Sequence, residues 1–186
     1  MHRTVRNAWL SLLVLLAGGA VCRGDAEKNA ALGKAAQWER AALNREWAAY
    51  AQLEEAGEAQ AAAAALRSAP QKNEQERRNA MRRAGDIELQ VVRSYAAAMA
   101  NFDKAVAGWT KAAQQYRQAG SEQGRRAAEG HAGQDSGEAA SACRLAALAA
   151  ERAAEDFGAE GAGMLSRAAA ASQTAATWWE HLAARD

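Results

Sequence analysis

The most constraining feature of the sequence is a run of apolar side chains in its middle, spaced alternately by three and four residues. The run consists of Val92, Tyr95, Met99, Phe102, Val106, Trp109, Ala113 and Tyr116. This spacing keeps one apolar stripe on the side of a long helix that faces a partner helix. The sequence therefore predicts an all-α protein whose long helices pack as in a coiled coil.

A second run with the same spacing lies near the C-terminus and mixes small with large side chains. It consists of Cys143, Ala147, Ala150, Ala154, Phe157, Gly161, Met164, Ala168, Ala171, Ala175, Trp178 and Leu182. Small residues let two helix axes approach closely, and the large ones fill the space opposite them. The run predicts a continuous helix. A kink or a splayed end is the alternative around Gly158, Gly161 and Gly163, because interior glycines disfavour helix.

The N-terminal third of the chain carries two apolar stripes. One stripe contains Leu32, Ala36, Leu43, Trp47 and Tyr50. The neighbouring stripe contains Ala31, Ala35, Trp38, Ala42, Ala49 and Leu53. A helix with two apolar stripes contacts two partners, which favours a bundle over a two-stranded rod.

Capping residues, proline and glycine divide the chain into helices, which we predict at residues 25–68, 70–119 and 136–184. Asp25 is suited to cap the first helix, and Pro70 separates the first from the second because proline is tolerated only in a first turn. Residues 120–137 contain five glycines and predict a loop. Asp135 followed by Glu138 resembles a capping box at the start of the third helix. Residues 23–186 then form one domain, an elongated antiparallel three-helix bundle.

The N-terminus has the layout of a secretory signal peptide. Arg3 and Arg6 precede an apolar run over residues 8–16, and small residues lead from there to Cys22. The apolar run is shorter than the ~20 residues that cross a bilayer. We therefore predict a signal peptide at residues 1–22 and a protein that is secreted, extracellular or periplasmic. The alternatives are cleavage two or three residues earlier, an uncleaved anchor, or lipidation of Cys22.

The chain contains two cysteines, Cys22 and Cys143. If Cys22 leaves with the signal peptide, Cys143 is a single thiol in an oxidising compartment, either buried or bridged to another chain. If Cys22 stays, a disulfide between the two becomes available. The pattern leaves both readings open.

The composition and charge exclude some classes of function. The chain is rich in alanine, which favours long helices with a thin core. Loss of residues 1–22 removes two arginines, so the net charge changes from +1 to −1. Nucleic-acid binding depends largely on neutralising phosphates, so a near-neutral chain argues against it.

No catalytic, cofactor or metal motif stands out in the sequence. His131 and His181 lack Cys, His or carboxylate partners at the spacings of metal ligands. Cys143 lies in an apolar run, where a reactive thiolate is disfavoured. We therefore predict a protein that is not an enzyme and that holds no cofactor or metal.

Two features remain as candidate interaction sites. Arg77, Arg78, Arg82 and Arg83 form a basic cluster, which is either an ion-paired helix face or a contact for acidic partners and anionic headgroups. Trp179 follows Trp178 and points about 100° away from it on a helix, which makes it either a packing residue or an exposed anchor.

We thus expect an exported helical bundle that acts as a non-catalytic protein-interaction or structural module, with unknown protein partners and some capacity for self-association. The alternatives are a membrane- or envelope-associated protein that contacts anionic surfaces, and a small-ligand carrier.

Overall fold

The computed structural model describes residues 23–185, which form four α-helices and contain no strand. The helices are α1 (Arg23–Ser68), α2 (Glu74–Gln118), α3 (Glu122–Glu160) and α4 (Leu165–Ala183). A single 3₁₀ turn, Ala162–Met164, precedes α4. The predicted signal peptide, with Cys22, lies outside the described residues. The all-helical class is confirmed, whereas the bundle has four helices rather than the predicted three.

The connection between α1 and α2 follows from its polar residues. The Asn73 side chain accepts a hydrogen bond from the Glu76 amide at 2.9 Å, and the Glu76 carboxylate accepts one from the Lys72 amide at 2.9 Å. The first bond satisfies an amide that the first turn of a helix leaves without a partner, and the second fixes the residue before the cap. Pro70 therefore lies in the connection, and α2 begins four residues later than predicted.

Helix α2 occupies the centre of the bundle. It packs antiparallel against both α1 and α3 along its length, whereas the backbones of α1 and α3 barely approach each other. Helix α4 folds back on the C-terminal half of α3. One half of the bundle thus contains four helices and the other half contains three.

The predicted glycine-rich loop at residues 120–137 is wrong, because α3 begins at Glu122 and only a tight turn separates it from α2. One of the glycines is required by packing: a Cβ on Gly124 would lie 2.5 Å from the Tyr116 ring. Asp135 is not a helix cap but a buried residue in the middle of α3. Burial of one face of this segment against α2 outweighs the weak helix propensity of its glycines.

The predicted continuous helix at residues 136–184 is also wrong, because it breaks after Glu160. Gly161 has φ +117° and ψ −168°, a conformation essentially restricted to glycine. The break lets α4 reverse direction and pack on α3. The alternative of a kink or splayed end at these glycines predicted the position of the break but not the packing of α4.

The core of α1 consists of small side chains. Every seventh residue is a fully buried alanine, in the series Ala35, Ala42, Ala49, Ala56 and Ala63. Gly108 on α2 lies so close that a Cβ there would be 3.0 Å from the Ala42 Cβ. Small residues on both sides therefore bring the axes of α1 and α2 close together.

Candidate functional site

The interior of the bundle contains a ladder of layers, each formed by one residue from α1, α2 and α3. Within each helix the contributing residues are seven positions apart, so that they share one face. On α1 they are Glu39, Glu46, Leu53, Gln60 and Arg67. On α2 they are Tyr116, Trp109, Phe102, Tyr95 and Glu88. On α3 they are Ala128, Asp135, Ala142, Ala149 and Asp156.

Four of these layers contain a polar contact between α1 and α2. Tyr116 donates its hydroxyl hydrogen bond to Glu39 at 2.9 Å, and Tyr95 donates to Gln60 at 3.2 Å. The central layer is apolar, with Phe102 packed against Leu53 and Ala142. A shift of one heptad would place unlike groups opposite each other and leave buried polar atoms without partners. The ladder therefore fixes the register of α1 on α2.

The layer of Arg67 holds a charge network that joins the three helices. The Arg67 guanidinium donates to both Asp156 oxygens, at 2.9 and 2.6 Å, and to Glu88 at 2.8 Å. Arg152 also donates to Glu88, at 3.2 Å. The Glu88 side chain is 1% exposed, so its charge depends on these two arginines for compensation. Hydrogen bonds to Asp156 and Glu88 raise the pKa of Arg67 further above its usual value.

The layer of Trp109 brings two carboxyl groups together inside the bundle. The Trp109 indole donates a hydrogen bond to Glu46 at 2.7 Å. Asp135 is 2% exposed and faces Glu46 across the layer. Burial, and then the Glu46 charge and a hydrogen bond to Glu46, raise the pKa of Asp135 to about 7. A nearby carboxylate and burial both disfavour ionisation of a carboxyl group, which is why the pKa of Asp135 is raised.

Other groups near this layer also act on the Asp135 carboxyl. Glu138, on the same helix, also raises the pKa of Asp135 through its charge, while the Trp109 hydrogen bond acts in the opposite direction. His131 stacks on the outer face of Trp109, with ring centroids 4.4 Å apart. Asp135 therefore keeps its proton to a higher pH than an exposed aspartate does.

Most arginines of the predicted basic cluster form ion pairs with neighbouring glutamates. Arg77 and Arg78 form ion pairs with Glu74 on the same helix, at 2.7 and 3.1 Å. Arg82 reaches across to Glu160 at the end of α3. Arg83 is exposed. Much of the cluster's positive charge is therefore neutralised locally.

Trp179 is half-buried on α4 and contacts the neighbouring helix. Its indole donates a hydrogen bond to Glu151 on α3 at 2.7 Å. Together with Ala175 and Ala176 it lines a shallow groove between α3 and α4. This position combines a packing contact with partial exposure, so both sequence-based hypotheses remain predictions.

Cys143 is a free, buried thiol on α3. Its sulfur lies 3.3 Å from the Trp178 carbonyl oxygen on α4, to which it donates. Burial raises the pKa of the thiol. Helix α4 thus covers this residue.

The sequence did not single out Trp47, the most exposed large apolar side chain of residues 23–185. The stripe that contains it was expected to be buried, but the alanines of the neighbouring stripe form the α1 core instead. Trp47 is 64% exposed and Leu32 is 39% exposed. Leu43 and Tyr50, which lie on the same side of α1 as Trp47, are half-buried. Alanine fits the closely packed α1–α2 interface. The larger side chains do not fit there, so they lie at the edge of the interface or face outward.

Residues 23–185 contain no group of three or more His, Cys, Asp or Glu side chains arranged to hold a metal ion. Within the same range, no helix has the length and apolar character needed to cross a membrane. Polar interior contacts and an exposed apolar stripe on α1 are the features that this part of the chain presents.

Comparison with known proteins adds no relative: no family model, no curated protein and no solved structure matches the chain. A function for the chain therefore has to be inferred from its own residues and contacts.

Proposed function

We propose that the protein is exported and acts as a non-catalytic protein-interaction module. Its working surface is the outer stripe of α1, which we define as Leu32, Ala36, Leu43, Trp47 and Tyr50. The observation that carries the proposal is the 64% exposure of Trp47 in the middle of this stripe. Single exposed apolar residues are ordinary, but tryptophan is the residue type most enriched at the centres of protein interfaces.

The spacing of the outer stripe indicates what kind of partner it fits. From Leu43 the stripe continues to Trp47 and Tyr50 at intervals of four and three residues, which is the spacing of a seam between packed helices. The Tyr50 ring packs edge-to-face on the buried Phe102 ring, at 5.3 Å between ring centroids. A helical segment of another protein would complete a coiled-coil contact along this stripe.

The interior ladder supports the same proposal. It holds α1 in one register on α2, so the outer stripe is presented on a rigid helix. Rigid presentation lowers the conformational entropy lost on binding.

A photo-crosslinking amino acid placed at Trp47 tests the proposal in the organism that makes the protein. We expect a discrete heavier adduct, identifiable by mass spectrometry, that does not form when the same amino acid replaces Ala41. Ala41 is exposed on α1 and lies about 120° around the helix from Trp47. Equal crosslinking at both positions, or none at Trp47, would contradict the proposed surface.

Export and the choice between classes need separate measurements. A naturally processed chain that starts at Arg23 and is found in the medium or periplasm supports export. Flotation with anionic vesicles tests the membrane-associated alternative. Binding that is lost in Trp179→Ala and in Arg83→Gln would favour that alternative over a protein partner.

A further inference from the structure

The C-terminal hairpin, defined as α3, α4 and the hinge Gly161–Met164 between them, has an unusual internal symmetry. The apolar run from Cys143 to Leu182 keeps its three-four spacing through the hinge, although the helix breaks there. Residues at equal distances on either side of the hinge pack together. Phe157, Ala154, Ala168 and Ala171 form one cluster, and Ala150 packs with Ala175 and Trp178 in the next.

The hinge itself offers little resistance to straightening. Gly161 is held in its glycine-only conformation, and α4 begins without a side-chain cap. The segment from Gly158 to Leu165 contains no proline, so nothing in it forbids a helix. A straightened hinge would relieve the positive φ at Gly161 and add the helical hydrogen bonds that the break omits.

Helix α4 is held to the rest of the bundle by a small apolar contact and by ion pairs. Two of its residues, Ala171 and Ala175, are buried. Arg167 pairs with Asp86 on α2, and Arg185, just beyond α4, donates two hydrogen bonds to Asp103, at 2.9 and 2.6 Å. These ion pairs connect α4 to α2. They therefore show whether an α4 packs on its own chain or on another copy.

We propose that two copies of this chain exchange α4 to form a dimer. In the exchanged dimer α3 and α4 of each copy form one straight helix, and each α4 occupies the groove between α2 and α3 of the other copy. The contacts of α4 with α2 and α3 are kept, because the same faces meet in the same antiparallel register. Leu165, 59% exposed beside the hinge, lies where the two straightened segments cross and becomes covered there.

Substitutions at the hinge test the exchange by opposite effects on dimerisation. Gly161→Ala disfavours the bent hinge and favours the straight helix in both copies, so we expect the dimerisation constant to rise about 100-fold. Ala162→Pro fits the first position of the 3₁₀ turn but would break a continuous helix, so we expect this variant to remain monomeric. Gly57→Ala is the matched control, because it stabilises a helix far from the hinge. Light scattering coupled to size-exclusion chromatography measures all three.

Charge reversal distinguishes exchange from a dimer that docks face to face. One variant carries Asp86→Arg and Asp103→Arg, and the second carries Arg167→Asp and Arg185→Asp. Each variant alone mismatches its own α4, whereas an exchanged heterodimer of the two restores every ion pair. We expect a mixture refolded from urea to form the heterodimer. The same variants mixed while folded should form it far more slowly, because exchange requires α4 to detach, whereas docking of opposite charges does not.

Three results would overturn the proposal. They are a Gly161→Ala variant no more dimeric than Gly57→Ala, an Ala162→Pro variant that dimerises as readily as Gly161→Ala, and a charge-reversal mixture without heterodimer. The mixture leaves the hinge unchanged, so it decides the question even if a hinge variant fails to fold.

Discussion

Replacing Asp135 by asparagine should abolish a decrease in the free energy of unfolding that occurs as the pH rises. Asp135 shares its layer with Glu46 and the Trp109 indole, and it is almost fully buried. Asparagine has nearly the same shape and offers an N–H donor to Glu46, as the protonated Asp135 carboxyl does. The substitution therefore keeps the layer packed while it removes one ionisable group.

The sign and size of the effect follow from the pKa of Asp135. Its ordinary value of 3.8 is raised to about 7 in the folded protein, so the folded state binds this proton more tightly than the unfolded state. The associated stability is present below pH 3.8 and is lost as the pH rises through 7. At about 1.4 kcal/mol per pKa unit the full loss is about 4 kcal/mol. Relaxation of the surrounding side chains lowers the penalty of a buried charge, so we expect a loss of about 2 kcal/mol.

Urea unfolding followed by circular dichroism, at pH values from 4 to 8.5, measures this loss. We expect the free energy of unfolding of the parent protein to carry this downward component with rising pH, and Asp135→Asn to lack it. The variant should be more stable than the parent by about 2 kcal/mol at pH 8. Glu155→Gln, at an exposed position of α3, is the control and should follow the parent. A variant whose pH dependence matches that of the parent would refute the raised pKa of Asp135.

The remaining predictions concern packing and the buried charges. Arg67→Met should lower the free energy of unfolding by about 3 kcal/mol, because it leaves two buried carboxylates without their main partner; a loss below about 0.5 kcal/mol in urea titrations would contradict the network. Gly85→Ala should cost about 1–3 kcal/mol, since its Cβ would lie 2.7 Å from the Phe157 ring. Gly57→Ala, with no atom within 4 Å of the new Cβ, should instead stabilise by up to about 1 kcal/mol, and a similar effect at both glycines would contradict the packing. The Cys143 thiol should react with a thiol reagent at least about 100-fold more slowly in the native protein than in urea, and a native rate near the urea rate would show that α4 does not cover it.

The sequence was most informative where a pattern of apolar spacing coincides with burial. The α2 run was identified correctly as a core stripe, because Tyr95, Phe102, Trp109 and Tyr116 are all buried. Large side chains at regular spacing have few alternatives to burial, which makes such a stripe readable without a structure.

The sequence was least informative where two patterns competed or where glycine was abundant. On α1 both stripes are compatible with a core, and close packing against Gly108 selects the alanine stripe. Around residues 120–137 local glycine content favours a loop, but contacts with α2 make the segment helical. Local propensity differs between such alternatives by about 1 kcal/mol per residue, which packing overrides.

The polar ladder also could have been found in the sequence, but only with the register known. Glu46 and Gln60 look like surface residues on a helix of this composition, and Asp135 resembles a helix cap. Their seven-residue spacing becomes meaningful once Trp109, Tyr95 and the other α2 residues stand opposite them.

The sequence by itself therefore determined the helical class, the α2 core stripe and the break near Pro70, because these depend on local spacing and backbone chemistry. The tertiary structure alone decided which α1 stripe is buried, which carboxyls meet and where α4 folds back. These depend on small differences in free energy between packings that share the same local preferences, and only contacts between distant segments resolve them.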